Sequence, residues 1–90
     1  HITAIMTVFT DPKETEEVAK KLAEMKEVVE VDTSLSEELL IIAKIVSEVQ
    51  EDLHSFIANK VAPLAGVLRI RTSILSKKFK DSEFPIEFSK

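Results

Sequence analysis

From Leu39 to Val46 the chain is apolar on both of its alternating sets of side chains. In an extended segment successive side chains point to opposite faces, so Leu39, Ile41, Ala43 and Ile45 form one face and Leu40, Ile42, Lys44 and Val46 the other. Only Lys44 interrupts them. A short β-branched run of this kind reads as a strand covered on both sides. The rest of the chain must therefore supply one cover for each face.

Two segments supply helices. Ile2 to Phe9 alternates Ile2, Ala4, Met6 and Val8 against Thr3, Ile5, Thr7 and Phe9, the period of a strand. Asp11-Pro12-Lys13-Glu14 then reads as a helix start, with Asp11 as cap, Pro12 in the first helical position and Glu14 closing a capping box. Val18, Leu22 and Met25 follow on one helical face, and Val28 to Thr33 is β-branched and strand-like. After the Leu39–Val46 strand, Ser47-Glu48-Val49-Gln50 predicts a second capping box. Behind it Val49, Leu53, Phe56, Ile57 and Val61 line one face. Pro63 and the single glycine, Gly66, end that helix, and Val67 to Leu75 is the last clear strand.

The order βαββαβ, with right-handed crossovers, predicts an α+β, ferredoxin-like domain: a four-stranded antiparallel sheet with both helices on one face. Nothing in the helices covers the other face, which would carry Ile5, Phe9, Leu40, Ile42 and Val46. Soluble monomers rarely expose an apolar patch of that kind. A second copy packed sheet to sheet by twofold symmetry, giving a dimeric α+β barrel, is the expected cover, with those five residues at the dimer interface. The alternative is that Phe84, Ile86 and Phe88, which alternate like a short edge strand or ordered tail, fold back over it. Three residues are few for a four-stranded face.

Ninety residues make one domain, 1–90, with a core of 2–75 and a tail of 76–90. Position 1 is His rather than Met, as expected of a chain that is processed, tagged or cut from something longer. The apolar fraction, 44%, is too high for disorder, and no apolar run approaches the about 18 residues of a membrane span. No cysteine is present, which removes disulfides and thiolate sites and fits a reducing, cytoplasmic setting. The formal charge of −4 and the absence of Trp and Tyr argue against a direct nucleic-acid partner. The short basic clusters, Arg69 with Arg71 and Lys77, Lys78 and Lys80, read as solvated faces.

Convergent groups for catalysis are missing. His1 is terminal and His54 sits just off the apolar helical face, with no second ligand at metal-binding spacing. The serines lack a nucleophile-elbow context, and one glycine in the chain excludes a Gly-rich phosphate loop. No catalytic residue, metal or cofactor is expected. The loop Ser34-Leu35-Ser36-Glu37-Glu38 is the one candidate binding site. It offers carboxylates for an ammonium and hydroxyl and backbone N–H donors for a carboxylate, beside an apolar wall, which suits a small zwitterion. Thr72 and Ser73 on the last strand add hydroxyls, from a neighbouring subunit if need be. A polar loop of this composition is otherwise an ordinary solvated turn.

Ala4 to Thr7, Val18-Ala19-Lys20-Lys21-Leu22-Ala23 and Val28-Val29-Glu30-Val31 resemble the opening half of the effector-binding domain of Lrp/AsnC-type transcription regulators, the "regulation of amino acid metabolism" (RAM) module. Pro63-Leu64-Ala65-Gly66-Val67 and Arg69-Ile70-Arg71-Thr72-Ser73-Ile74-Leu75 are similar to the family's Pro-Gly-Val turn and Thr-containing last strand. The resemblance covers Ile2 to Leu75. It implies sheet-to-sheet dimers, rings of dimers, and amino acids or related molecules bound at contacts between dimers. It also implies partnership with full-length Lrp/AsnC regulators when the module stands alone. No helix-turn-helix lies within these residues, so the chain by itself is not expected to bind operators. Leu35 and Glu38 stand where the family's loop has Gly and Asp, and Ile70 replaces the first Thr of the last strand while Thr72 is kept. On this likeness Glu38, with Glu37 second, takes the ammonium. Ser34, Ser36, Thr72 and Ser73 hold the carboxylate, and Leu35 and Ile70 meet the side chain.

Two other classes share the fold. A dimeric α+β-barrel enzyme of the small monooxygenase or isomerase type encloses a polar, aromatic pocket between a sheet and its own helices. An amino-acid-binding regulatory module of a metabolic enzyme is normally fused to a catalytic domain.

Overall fold

The period-two segments become the strands of one sheet. In the computed structural model, which describes residues 1–34 and 38–81, β1 (Ile2–Thr10), β2 (Val28–Ser34), β3 (Leu40–Ser47) and β4 (Val67–Ile74) pair antiparallel in the order β2-β3-β1-β4. α1 (Thr15–Ala23) joins β1 to β2. α2 (Gln50–Phe56), extended by a π-helical segment over Ile57–Val61, joins β3 to β4. This is the ferredoxin-like βαββαβ arrangement read from the sequence. Of the tail, Ser76 to Asp81 follows β4 as an exposed segment. Phe84, Ile86 and Phe88 lie outside the described residues.

The alternation predicted for β1 and β3 is realised except at Leu39, which precedes β3 and is 44% exposed instead of lying on the covered face. Ala4, Met6, Val8, Ile41, Ala43 and Ile45 are fully buried and pack with Val18 and Leu22 of α1, Leu53 and Phe56 of α2, and Val61. Both helices therefore cover the same face. Residues directly opposite each other on paired strands share a face, so the register places every strand residue. Asp32, Ile42, Thr7 and Arg71 form one row across the other, open face. Glu30, Lys44, Ile5 and Ser73 form the next, and Ser34, Leu40, Phe9 and Arg69 a third at the end nearest the 35–38 loop.

Both helix starts differ from expectation. Asp11 does not cap α1; its Oδ1 accepts from the Lys13 N–H at 3.0 Å and its carbonyl from the Glu14 N–H at 2.8 Å. This local turn carries Pro12 and delays the helix to Thr15, with Glu14 at the cap position and no side-chain cap bond. The buried Thr10 and Thr15 hydroxyls, 2.7 Å apart, pin the turn to the end of β1. The second capping box does not form either. Val49 itself is the cap residue, half of it exposed, and Ser47 Oγ donates to the Val49 carbonyl instead. Val49 therefore leaves the apolar face assigned to it, while Leu53, Phe56 and Val61 stay on it.

The π-helical segment has a packing reason. Counted from Leu53 and Phe56 at an α-helical pitch, the next core position falls near Lys60. The wider turn, closed by the Ala62 N–H bonding the Ile57 carbonyl at 2.8 Å, turns Val61 inward and Lys60 outward. Lys60 Nζ then lies 3.6 Å from Glu27 Oε2.

Candidate functional site

The 35–38 loop joins β2 to β3, so both of its anchors come from one edge of the sheet. Ser34 pairs with Leu40 and is half-buried, and Glu38 is exposed. Leu35, Ser36 and Glu37 lie outside the described residues. β4 is at the opposite edge, three inter-strand spacings or about 14 Å away. One chain therefore does not bring Ile70, Thr72 and Ser73 to Ser34 and Glu38.

The three β4 residues also divide by face. Ile70 pairs with Val8 and Thr72 with Met6, which puts both on the helix side. Ser73 pairs with Ile5 and belongs to the open face. A single ligand at this edge can meet Ile70 with Thr72, or Ser73, but not all three. Ile70 is half-buried against the core and Thr72 is exposed.

The open face carries a largely apolar middle, interrupted by Thr7 beside Ile42 and by Lys44 beside Ile5. Ile5, Phe9, Leu40 and Val46 are half-buried, and Ile42 at its centre remains 41% exposed. Arg69 lies over Phe9, its guanidinium carbon 4.2 Å from the ring centroid. That stacking was not read from the sequence, because Phe9 and Arg69 become neighbours only through the β1–β4 register.

Two shallow cavities lie at the other end of the sheet, away from the 35–38 loop. One, of about 680 Å³, is bordered by His1, Glu27, Ser47, Glu48, Asp52 and Phe56. Glu27 Oε1 is buried there with no hydrogen-bond partner among the described residues, while Oε2 faces Lys60. The other, of about 660 Å³, runs between Thr3, Lys44 and Val46 and the segment after β4. The centre of the layer between the sheet and its helices is occupied by apolar core side chains. Among the described residues no group of three metal-ligating side chains converges, and no helix is long and apolar enough to cross a membrane.

A family model described as the Lrp/AsnC ligand binding domain matches residues 3–84. The chain belongs to the Lrp/AsnC ligand-binding-domain family. It is 31% identical over 86 residues to the HTH-type transcriptional regulator Ptr1 of Methanocaldococcus jannaschii, covering 94% of this chain. It spans little more than half of that relative, 57% of its length. Among solved structures it is similar to the hypothetical protein PHS023 of Pyrococcus horikoshii, at 28% identity and TM-score 0.77, covering 88% of this chain and 94% of that one. At the level of fold alone it is also similar to the regulator NMB0573 of Neisseria meningitidis, solved in complex with L-Met. There the identity is 17% and the TM-score 0.80, over 91% of this chain and 54% of that one.

Proposed function

We propose that this chain is an amino-acid effector-binding and oligomerisation module of an Lrp/AsnC transcription regulator, dimeric through the open face of its sheet. The observation that carries the reading is the apolar centre of that face, with Ile42 in the middle and no helix over it. The effector sits at the 35–38 loop in a contact between chains, since β4 of the same chain is at the far edge. Glu38, with Glu37, takes the ammonium, and Ser34 and Ser36 hold the carboxylate beside Leu35. A neighbouring chain adds Ile70 and Thr72 from one face of its β4, or Ser73 from the other. The relative solved with L-Met makes that amino acid the first to try.

Calorimetric titration with the twenty amino acids tests the reading, together with particle mass by light scattering with and without each. At least one amino acid should bind and shift the assembly. Glu38→Gln should weaken that binding about tenfold or more, since it removes a charged hydrogen-bond acceptor for the ammonium. Silence from all twenty at millimolar concentration would refute effector binding.

A further inference from the structure

The open face has a largely apolar middle, broken by Thr7 and by Lys44 next to Glu30, and opposite charges at its two edges. Glu30 and Asp32 are exposed on the β2 edge, and Arg69 and Arg71 are exposed on the β4 edge. All four point to the open face by the register, in rows beside Ile42 and its neighbours. None of them forms an ion pair with another described residue; among those residues the one ion pair is Lys60 with Glu27. The Arg69 guanidinium lies over the Phe9 ring, which places its charge above the open face.

We infer that these four residues set the orientation of the dimer, with the acidic β2 edge of one copy lying over the basic β4 edge of the other. The inference rests on the sheet-to-sheet dimer proposed above and deepens it. Two sheets can pack face to face about a twofold axis that runs either along the strands or across them. With the axis along the strands, each row meets itself reversed. Asp32 then faces Arg71 of the second copy, and Glu30 and Ser34 flank that contact against Ser73 and Arg69. With the axis across the strands, β2 meets β2 and β4 meets β4. Two carboxylates from each copy then crowd one edge and two guanidinium groups from each copy the other. Packed sheets are about 10 Å apart, a gap that an arginine and a carboxylate side chain close between them. Between the edges Lys44 is the one charged residue of the open face, so the four edge residues carry most of its charge and decide the orientation.

The test reverses one edge at a time and then both. Glu30→Lys with Asp32→Lys, or Arg69→Glu with Arg71→Glu, turns attraction at both rims of the dimer into repulsion. Each double variant should self-associate about ten- to a hundredfold more weakly by sedimentation equilibrium, with an unchanged circular dichroism spectrum. The quadruple variant restores opposite charges with inverted polarity. It should dimerise about as tightly as the original chain yet fail to form mixed dimers with it in native mass spectrometry. If the original chain dimerises but the double variants match it, or the quadruple variant mixes freely with it, the orientation is wrong while the dimer stands. A monomeric original chain would overturn the dimer and the orientation together.

Discussion

Gly66→Ala should lower the unfolding free energy by about 2–4 kcal/mol, a fall in melting temperature of roughly 10–30 °C for a domain of this size. Two independent terms act at this position. Gly66 has φ +94°, a backbone conformation that disfavours any side chain by about 1–2 kcal/mol. A Cβ added there would also run into the Glu14 side chain, 2.6 Å from its Cγ and closer still to its Cβ. The approach is tight because the Asp11 N–H donates to the Gly66 carbonyl at 2.8 Å, clamping the turn before β4 onto the turn before α1. Glu14→Gly in the alanine background separates the terms: it relieves the clash but not the φ penalty, and the double-mutant cycle should show a coupling of about 1–2 kcal/mol. Thermal melts at fixed protein concentration read all four proteins. A Gly66→Ala melt within a degree or two of the original would remove both parts of the argument.

That clamp illustrates what was and was not legible in the sequence. Gly66 is recognisable as a breaker, but its neighbour Glu14 is 52 positions away, and only the fold brings the two together. The strands were legible because alternation is local: Ala4, Met6 and Val8 announce their buried face within five residues. Helix starts were less so. Asp11 and Ser47 are residue types that cap helices, yet their polar atoms bond within their own turns, an equally local option that composition does not distinguish. The π-helical turn was hidden because Lys60 and Val61 compete for one core position, and packing decides between them.

The candidate site follows the same division. The loop's composition named Ser34 and Glu38, but Thr72 and Ser73 had been grouped by adjacency, whereas adjacent strand residues face opposite ways. The segregation of charge on the open face was invisible for a related reason. Glu30 with Asp32 and Arg69 with Arg71 each look like a solvated alternating pair. Only the strand order β2-β3-β1-β4 sends the first pair to one edge of the sheet and the second to the other.

Adjacent residues on β3 should give opposite failures when a carboxylate is introduced. Ala43→Glu should unfold the chain, because Ala43 is fully buried between Val31 and Met6 under the helices, where an unpaired charge costs several kcal/mol. Ile42→Glu should leave the fold intact, since Ile42 is 41% exposed and its side chain projects away from both helices. In the proposed dimer that carboxylate is forced into the apolar centre of the interface, once from each copy. Self-association should weaken about a hundredfold or more, and light scattering should report the 10.1 kDa single chain where the original reports twice that mass. The effector site proposed at contacts between chains depends on the assembly, so amino-acid binding should fade in the same variant although Ile42 lies a row away from the loop end. An Ile42→Glu chain that stays dimeric at the original's concentrations would show that another surface makes the dimer. A folded, monomeric variant that still binds its amino acid undiminished would place the effector site within one chain.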